Sequence, residues 1–116
     1  MQVTDSLINL SYQFGKYFTE RDAKGLSNLM HENFSLYDPA LSWVRGRDKV
    51  IEVLQKGFDE SKIISYEIKE AFKDGDTTIL RFEIIMDERK FIGVDFMRWQ
   101  DEKMTELICY YNPLKQ

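Results

Sequence analysis

The sequence is poor in the residues that usually announce a chemistry. Among 116 residues there is one cysteine, Cys109, and one histidine, His31. A single cysteine excludes an internal disulfide and fits a reducing compartment, so a cytoplasmic location is expected. A single histidine leaves no histidine pair, and no His/Cys/Asp/Glu group has metal-ligand spacing, so no metal and no other cofactor is expected. There is no basic excess: 16 Lys and Arg stand against 20 Asp and Glu, a net charge of −4. That balance argues against nucleic acid as a partner. No apolar run approaches the ~20 residues of a bilayer span. The opening MQVTDSLINL lacks a basic segment followed by an apolar run, so neither a signal peptide nor a membrane partner is expected. Repeats, linkers and low-complexity segments are missing too. One domain over residues 1–116 is the natural reading of this length, with about two-thirds of the unfolded surface buried.

What is there divides into helices and then strands. Leu7, Leu10, Phe14, Tyr17 and Phe18 recur three or four apart, which predicts a helix over Asp5 to Glu20 with Thr4, Asp5 or Ser6 as its cap. Asp22 caps a shorter second helix carrying Leu26, Leu29 and Met30 on one side, weakened a little by Gly25. FSLYD, residues 34–38, alternates as a short strand that Pro39 stops. A loop, ALSWVRGR, leads to a third helix near Asp48 to Phe58, whose apolar face is Val50, Ile51, Leu54 and Phe58. Four strands follow, near Ile63–Phe72, Thr77–Met86, Phe91–Trp99 and Met104–Tyr111. Asp74-Gly75 marks the first hairpin, and short charged connections suit an antiparallel meander. Helices first and strands later give an α+β class: three N-terminal helices on a curved antiparallel sheet, enclosing a cone-shaped pocket.

Two of the twenty acidic residues have neighbours that predict desolvation. In a strand alternate residues share a face, so Asp38 points the same way as Phe34 and Leu36. Asp95 lies in FIGVDFMRW, residues 91–99, which is largely apolar on both faces. A buried carboxylate is costly unless it is neutral, paired or needed for chemistry. Two such groups can divide acid and base work. Each also has a structural reading. Asp38 before Pro39 fits a chain turn, and Asp95 fits a structural acid bonded to a tyrosine or tryptophan.

The element order and three stretches resemble the ketosteroid isomerase and SnoaL-like polyketide cyclase branch of the nuclear transport factor 2-like superfamily. ERDAKGLSNLMHENFSLYDP is similar to that branch's second helix and first strand, which end in an acidic residue and proline. GRDKVIEVL resembles its glycine-led third helix, and GVDFMRW resembles the strand that carries a second acid. The resemblance implies a cystatin-like α+β cone. It also implies that Asp38 stands at the isomerase general base and Asp95 at the protonated aspartate of the oxyanion hole. It departs at one point: the first-helix tyrosine of the isomerases is matched by Phe14, which has no hydroxyl. Tyr17, one turn on, and Tyr110 or Tyr111 on the last strand are alternatives.

Three functions stay open. One is an isomerase or cyclase moving a proton next to the carbonyl of a small apolar substrate, with Asp38 and Asp95 as catalytic pair. Phe14, Tyr17, Trp43, Phe58, Met97 and Tyr111 are then the expected substrate-binding residues. The second is a non-catalytic ligand-binding or dimerisation module of the same fold. The third is a hydrolase or dehydratase, which needs Arg81 or Arg98 turned inward beside the aspartates. Because one layer of helices covers only one face of the sheet, the outward Ile79, Ile85, Ile92, Val94 and Phe96 predict a two-fold homodimer through the sheet.

Overall fold

The apolar rhythm of the N-terminal segment produces α1, Ser6–Thr19, and a carboxylate starts it. Asp5 is the N-cap, its side chain accepting the amides of Leu7 and Ile8. The structure is a computed structural model that describes residues 5–114, so Thr4 lies outside the described residues. α2, Ala23–Asn28, is capped by Asp22, whose carboxylate accepts the amide of Gly25. It is shorter than its apolar side suggests. Leu29 is the C-cap, and Met30 already belongs to β1, Met30–Asp38. The expected strand at residues 34–38 is therefore only the second half of a nine-residue one. Between the two helices Arg21 reaches the end of α3, Arg47–Glu60, and donates to the carbonyls of Phe58, Ser61 and Lys62. A cation at a helix C-terminus satisfies carbonyls that the helix cannot.

The segment expected to be a loop contains a short strand, β2, Ser42–Arg45, paired antiparallel with β1. Four longer strands follow: β3, Ile64–Asp74; β4, Thr77–Met86; β5, Arg89–Gln100; and β6, Lys103–Leu114. Asp74 pairs with Thr77, so the first hairpin turns on Gly75-Asp76, one residue later than the Asp-Gly signal suggests. Gly75 takes the positive φ of +59° that the turn requires. The sheet is curved and unclosed, in the order β2-β1-β6-β5-β4-β3. β3 to β6 form the expected meander, but β1 joins β6 in parallel, with Leu36 beside Leu107 and Tyr37 beside Ile108. That one parallel contact corrects the expectation of a wholly antiparallel sheet. It also carries the end of β1 alongside the last strand of the meander.

The helices cover the concave face, α1 lying against β3 and α3 against β1. The core between them is built from inward rows: Phe34 and Leu36 of β1, Leu80 and Phe82 of β4, Met97 and Trp99 of β5, Leu107 of β6. Two of its polar side chains bond each other and an indole. Ser11 bonds Thr78, and the Trp99 indole N–H donates to the same threonine hydroxyl. Gly93 of β5 lies tight against β6; a Cβ there would meet the Tyr110 carbonyl oxygen at 2.1 Å. The outward rows are mixed. Phe72, Ile85, Ile92 and Tyr110 are exposed, while Lys69–Glu83–Lys90 and Arg81–Glu70 run between them as ion pairs.

Candidate functional site

The inward rows do not meet the helices everywhere. They leave a cavity of about 240 Å³ between α1, α3 and the sheet. Its walls are almost entirely apolar. Of the twenty described residues that line it, five carry an oxygen or a thiol: Asp38, Tyr66, Asp95, Cys109 and Tyr111. Strand register gathers them. Asp95 of β5 is directly opposite Cys109 of β6. The parallel contact of β1 with β6 brings Asp38 to the same row.

Asp95 is 3% exposed. Its Oδ2 accepts the hydroxyl of Tyr66 at 2.5 Å, and Oδ1 is buried without a hydrogen-bond partner. The Cys109 thiol lies beside the carboxyl across the ladder but makes no hydrogen bond of ordinary geometry with Oδ1. Burial dominates the electrostatics and pushes the carboxyl up to about 6. The hydroxyl of Tyr66 and the thiol of Cys109 pull against that rise, and the negative charge of Asp38 adds to it. Burial likewise raises the Tyr66 phenol well above its ordinary range, with the Asp95 charge second, and it raises the Cys109 thiol. Neither group is a source of anions at neutral pH.

Tyr66 is fixed from several sides. Its backbone N–H donates to Thr19 Oγ1 at 2.9 Å, and that hydroxyl donates back to the Tyr66 carbonyl, tying β3 to the end of α1. Its ring stacks on Phe82 at 5.2 Å and meets the edge of Phe14 at 5.5 Å. Such packing holds one rotamer and so one direction for the hydroxyl.

Asp38 is half-buried at the other end of the polar row. Oδ1 accepts the Ala40 amide at 2.7 Å and the Tyr111 hydroxyl at 3.1 Å. Oδ2 takes no hydrogen bond from the described residues. The turn reading and the site reading of Asp38 therefore describe one side chain: the amide bond closes the Asp-Pro turn and leaves the second oxygen uncommitted. Tyr111 is pushed up to about 12, by partial burial first and then by the Asp38 charge.

Of the expected binding residues, Phe14, Phe58 and Tyr111 line this cavity. Tyr17, Trp43 and Met97 do not. Tyr17 turns its ring over Gly25, where a Cβ would lie 2.7 Å from it. Trp43 belongs to a strand, not a loop, and alternation sends it to the outer face against Tyr37 and Arg45. Met97 is fully buried in the core, outside the cavity lining. Tyr66, which is not among the expected site residues, also lines the cavity, with its hydroxyl on Asp95. Its signal was the alternation Ile64, Tyr66, Ile68 on one face of β3. His31 is exposed, its Nδ1 accepting the Asn33 amide. No group of three or more His, Cys, Asp or Glu able to hold a metal occurs among the described residues. No helix there is long and apolar enough to cross a membrane.

Helices packed on one face of a curved, unclosed six-stranded sheet, with a pocket between, define the cone of the nuclear transport factor 2-like proteins. The chain belongs to the SnoaL-like domain family, whose model matches residues 13–107. Solved structures agree on the fold. An NTF2-like protein of unknown function from Cytophaga hutchinsonii superposes with a TM-score of 0.82 at 17% identity, covering 97% of this chain and 95% of that one. A proposed ketosteroid isomerase from Kribbella flavida gives 0.84 at 14% identity, covering 97% and 82%. A proposed SnoaL-like polyketide cyclase from Shewanella denitrificans gives 0.80 at 18% identity, covering 94% and 92%. No curated protein matches the chain by sequence.

Proposed function

We propose that this SnoaL-like protein binds a small molecule in the cone and moves a proton next to a carbonyl group, as an isomerase or cyclase does. The observation that carries the reading is the pair of carboxyls in one apolar cavity, differing in burial. Asp38, at the wetter end with Oδ2 uncommitted, is the base that takes the α-proton. Asp95, in its neutral form, donates from Oδ1 to the oxygen on which charge develops. Tyr66 holds Oδ2, so the acid's proton belongs on the oxygen without a partner. A cavity of about 240 Å³ is smaller than the roughly 300–1,000 Å³ of pockets for drug-sized molecules, so the substrate has one or two rings.

Two observations weigh on the alternatives. No arginine lines the cavity: Arg81 pairs with Glu70 and Arg98 with Glu106, both away from it. The hydrolase reading thus lacks its cation. The outer face of the sheet, with Phe72, Ile85, Ile92 and Tyr110 exposed, suits the two-fold homodimer, and a second copy of the chain is its proposed cover. Light scattering at micromolar concentration should give twice the mass of one chain; the monomer mass would count against it.

Proton transfer is tested by NMR-detected exchange of α-hydrogen for deuterium in a small cyclic enone. Wild type should accelerate exchange, with a rate that falls as pH rises through about 6 and Asp95 ionises. Asp38→Asn should lower the rate by about 10²–10⁴-fold, the usual worth of a general base, without altering the fold. Exchange no faster than in buffer would leave the non-catalytic binding module as the better reading.

A further inference from the structure

The cavity's hydrogen-bonding capacity is one-sided. Both phenol hydrogens are committed, Tyr66 to Asp95 and Tyr111 to Asp38. Among the described residues no lysine, arginine or histidine lines the cavity, and α1 and α3 present only carbon to it, through Phe14, Phe18, Val50, Val53, Leu54, Gly57 and Phe58. A thiol is a weak donor. What remains uncommitted on the carboxyls is an acceptor on each, Oδ1 of Asp95 and Oδ2 of Asp38. An ionised carboxylate in such walls lacks the countercharge that buried anions normally have.

We propose that the cavity selects a small hydrophobic ammonium ion, one ring bearing a primary or secondary amine, over neutral or anionic molecules of the same shape. The ammonium N–H groups meet the uncommitted carboxylate oxygens. The ring lies among Phe14, Phe18, Phe34, Phe58 and Phe91, which supply apolar contact and π faces toward the charge. With Asp95 ionised, a carboxylate ligand finds no donor and two like charges. An alcohol finds acceptors but brings no charge. The selection does not rest on the proton-transfer reading, which requires Asp95 neutral, whereas amine binding is strongest with Asp95 ionised.

That opposition gives the test its sign. The groups acting on Asp95 are Asp38 from β1, Tyr66 from β3 and Cys109 from β6; Tyr111 of β6 lines the same cavity on Asp38, with Arg89 of β5 acting on it. Tyr66, Cys109 and Tyr111 are all raised and stay protonated between pH 5 and 7.5. Asp95 ionises within that window. Calorimetric titration at pH 7.5 uses three isosteric probes: benzylamine, benzyl alcohol and benzoate. Benzylamine should bind at least tenfold more tightly than benzyl alcohol, and benzoate weakest of all. Benzylamine affinity should rise several-fold from pH 5 to 7.5, and Asp95→Asn should abolish the rise. Equal affinity for the three probes, binding of none, or benzylamine affinity that falls with pH would overturn the proposal, and none of these outcomes depends on a variant folding. Enone exchange without amine preference defeats this inference alone. Amine preference without exchange defeats the proton-transfer reading alone.

Discussion

Asp95–Tyr66 and Asp38–Tyr111 are the same chemical pair in two places. In each a carboxylate accepts a tyrosine hydroxyl on the wall of one cavity. Asp95 is 3% exposed and its carboxyl is raised to about 6, with burial the largest cause. Asp38 is half-buried and has a backbone amide as a second donor. The comparison teaches that the partner does not set the role. Tyrosine bonding lowers a carboxyl's pKa, yet at Asp95 desolvation outweighs it. Position along the cavity, decided by which strand each residue sits on, separates the fully buried carboxyl from the half-buried one.

The sharpest way to break the comparison is to remove the charge at the buried end. Asp95 titrates at an ordinary 3.8 when unfolded and about 6 when folded. The unfolded state therefore loses its proton first, and the folded state is disfavoured as pH rises. Stability from this group is full below about pH 4, declines to about pH 6 and is level above, a loss of about 3 kcal/mol from two pKa units. Asp5, Glu83 and Asp87 are held low by Lys73, by Lys69 and by the Ile63 amide respectively, and run the opposite way. The wild-type curve minus that of Asp95→Asn cancels them. Asp95→Asn should equal or exceed wild type in stability at pH 7 by urea denaturation, and should lose this pH dependence. Carboxyl-carbon NMR titration placing Asp95 near 3.9 would refute the assignment.

Tyr66→Phe comes next. It strips the buried carboxyl of its one tyrosine donor and should cost about 2 kcal/mol, as hydrogen bonds to charged groups do. It should also move the Asp95 titration above 6, since the hydroxyl lowers it. A structural tyrosine would change stability without moving that titration. Tyr111→Phe is the smallest. Asp38 keeps the Ala40 amide and contact with water, so the cost should stay within about 1 kcal/mol by chemical denaturation. A loss as large as that of Tyr66→Phe would erase the distinction between the two ends.

Much of the frame was legible in particular residues. Asp5 and Asp22 cap helices where a carboxylate precedes an apolar rhythm, and the charged turns separate the meander strands. The burial of Asp95 followed from apolar neighbours on both faces of its strand. Three things were not legible, for different reasons. Met30 continues an apolar helical side, but helix and strand patterns overlap at an element boundary, and its pairing with Met104 decides for strand. The parallel contact of β1 with β6 joins segments with no local signal for each other. Tyr66 carries a clear alternation signal, yet a tyrosine in a strand reads as packing until its hydroxyl has a partner, and the partner lies 29 positions away.

The parallel contact has a consequence for how the molecule is made. β1 is synthesised early, and β6, which pairs along it, comes last of the strands. Residues 39–103 separate the end of β1 from Met104, where β6 begins to pair with it. At about 5–20 residues per second a ribosome takes roughly 3–13 s over that interval. Throughout it one edge of β1 has no strand to pair with, and Phe34 and Leu36 have no β6 row beside them. Unpaired strand edges invite association with other chains. Asp38 is thus carried on a strand that waits for the last strand of the chain before its place in the cavity is complete.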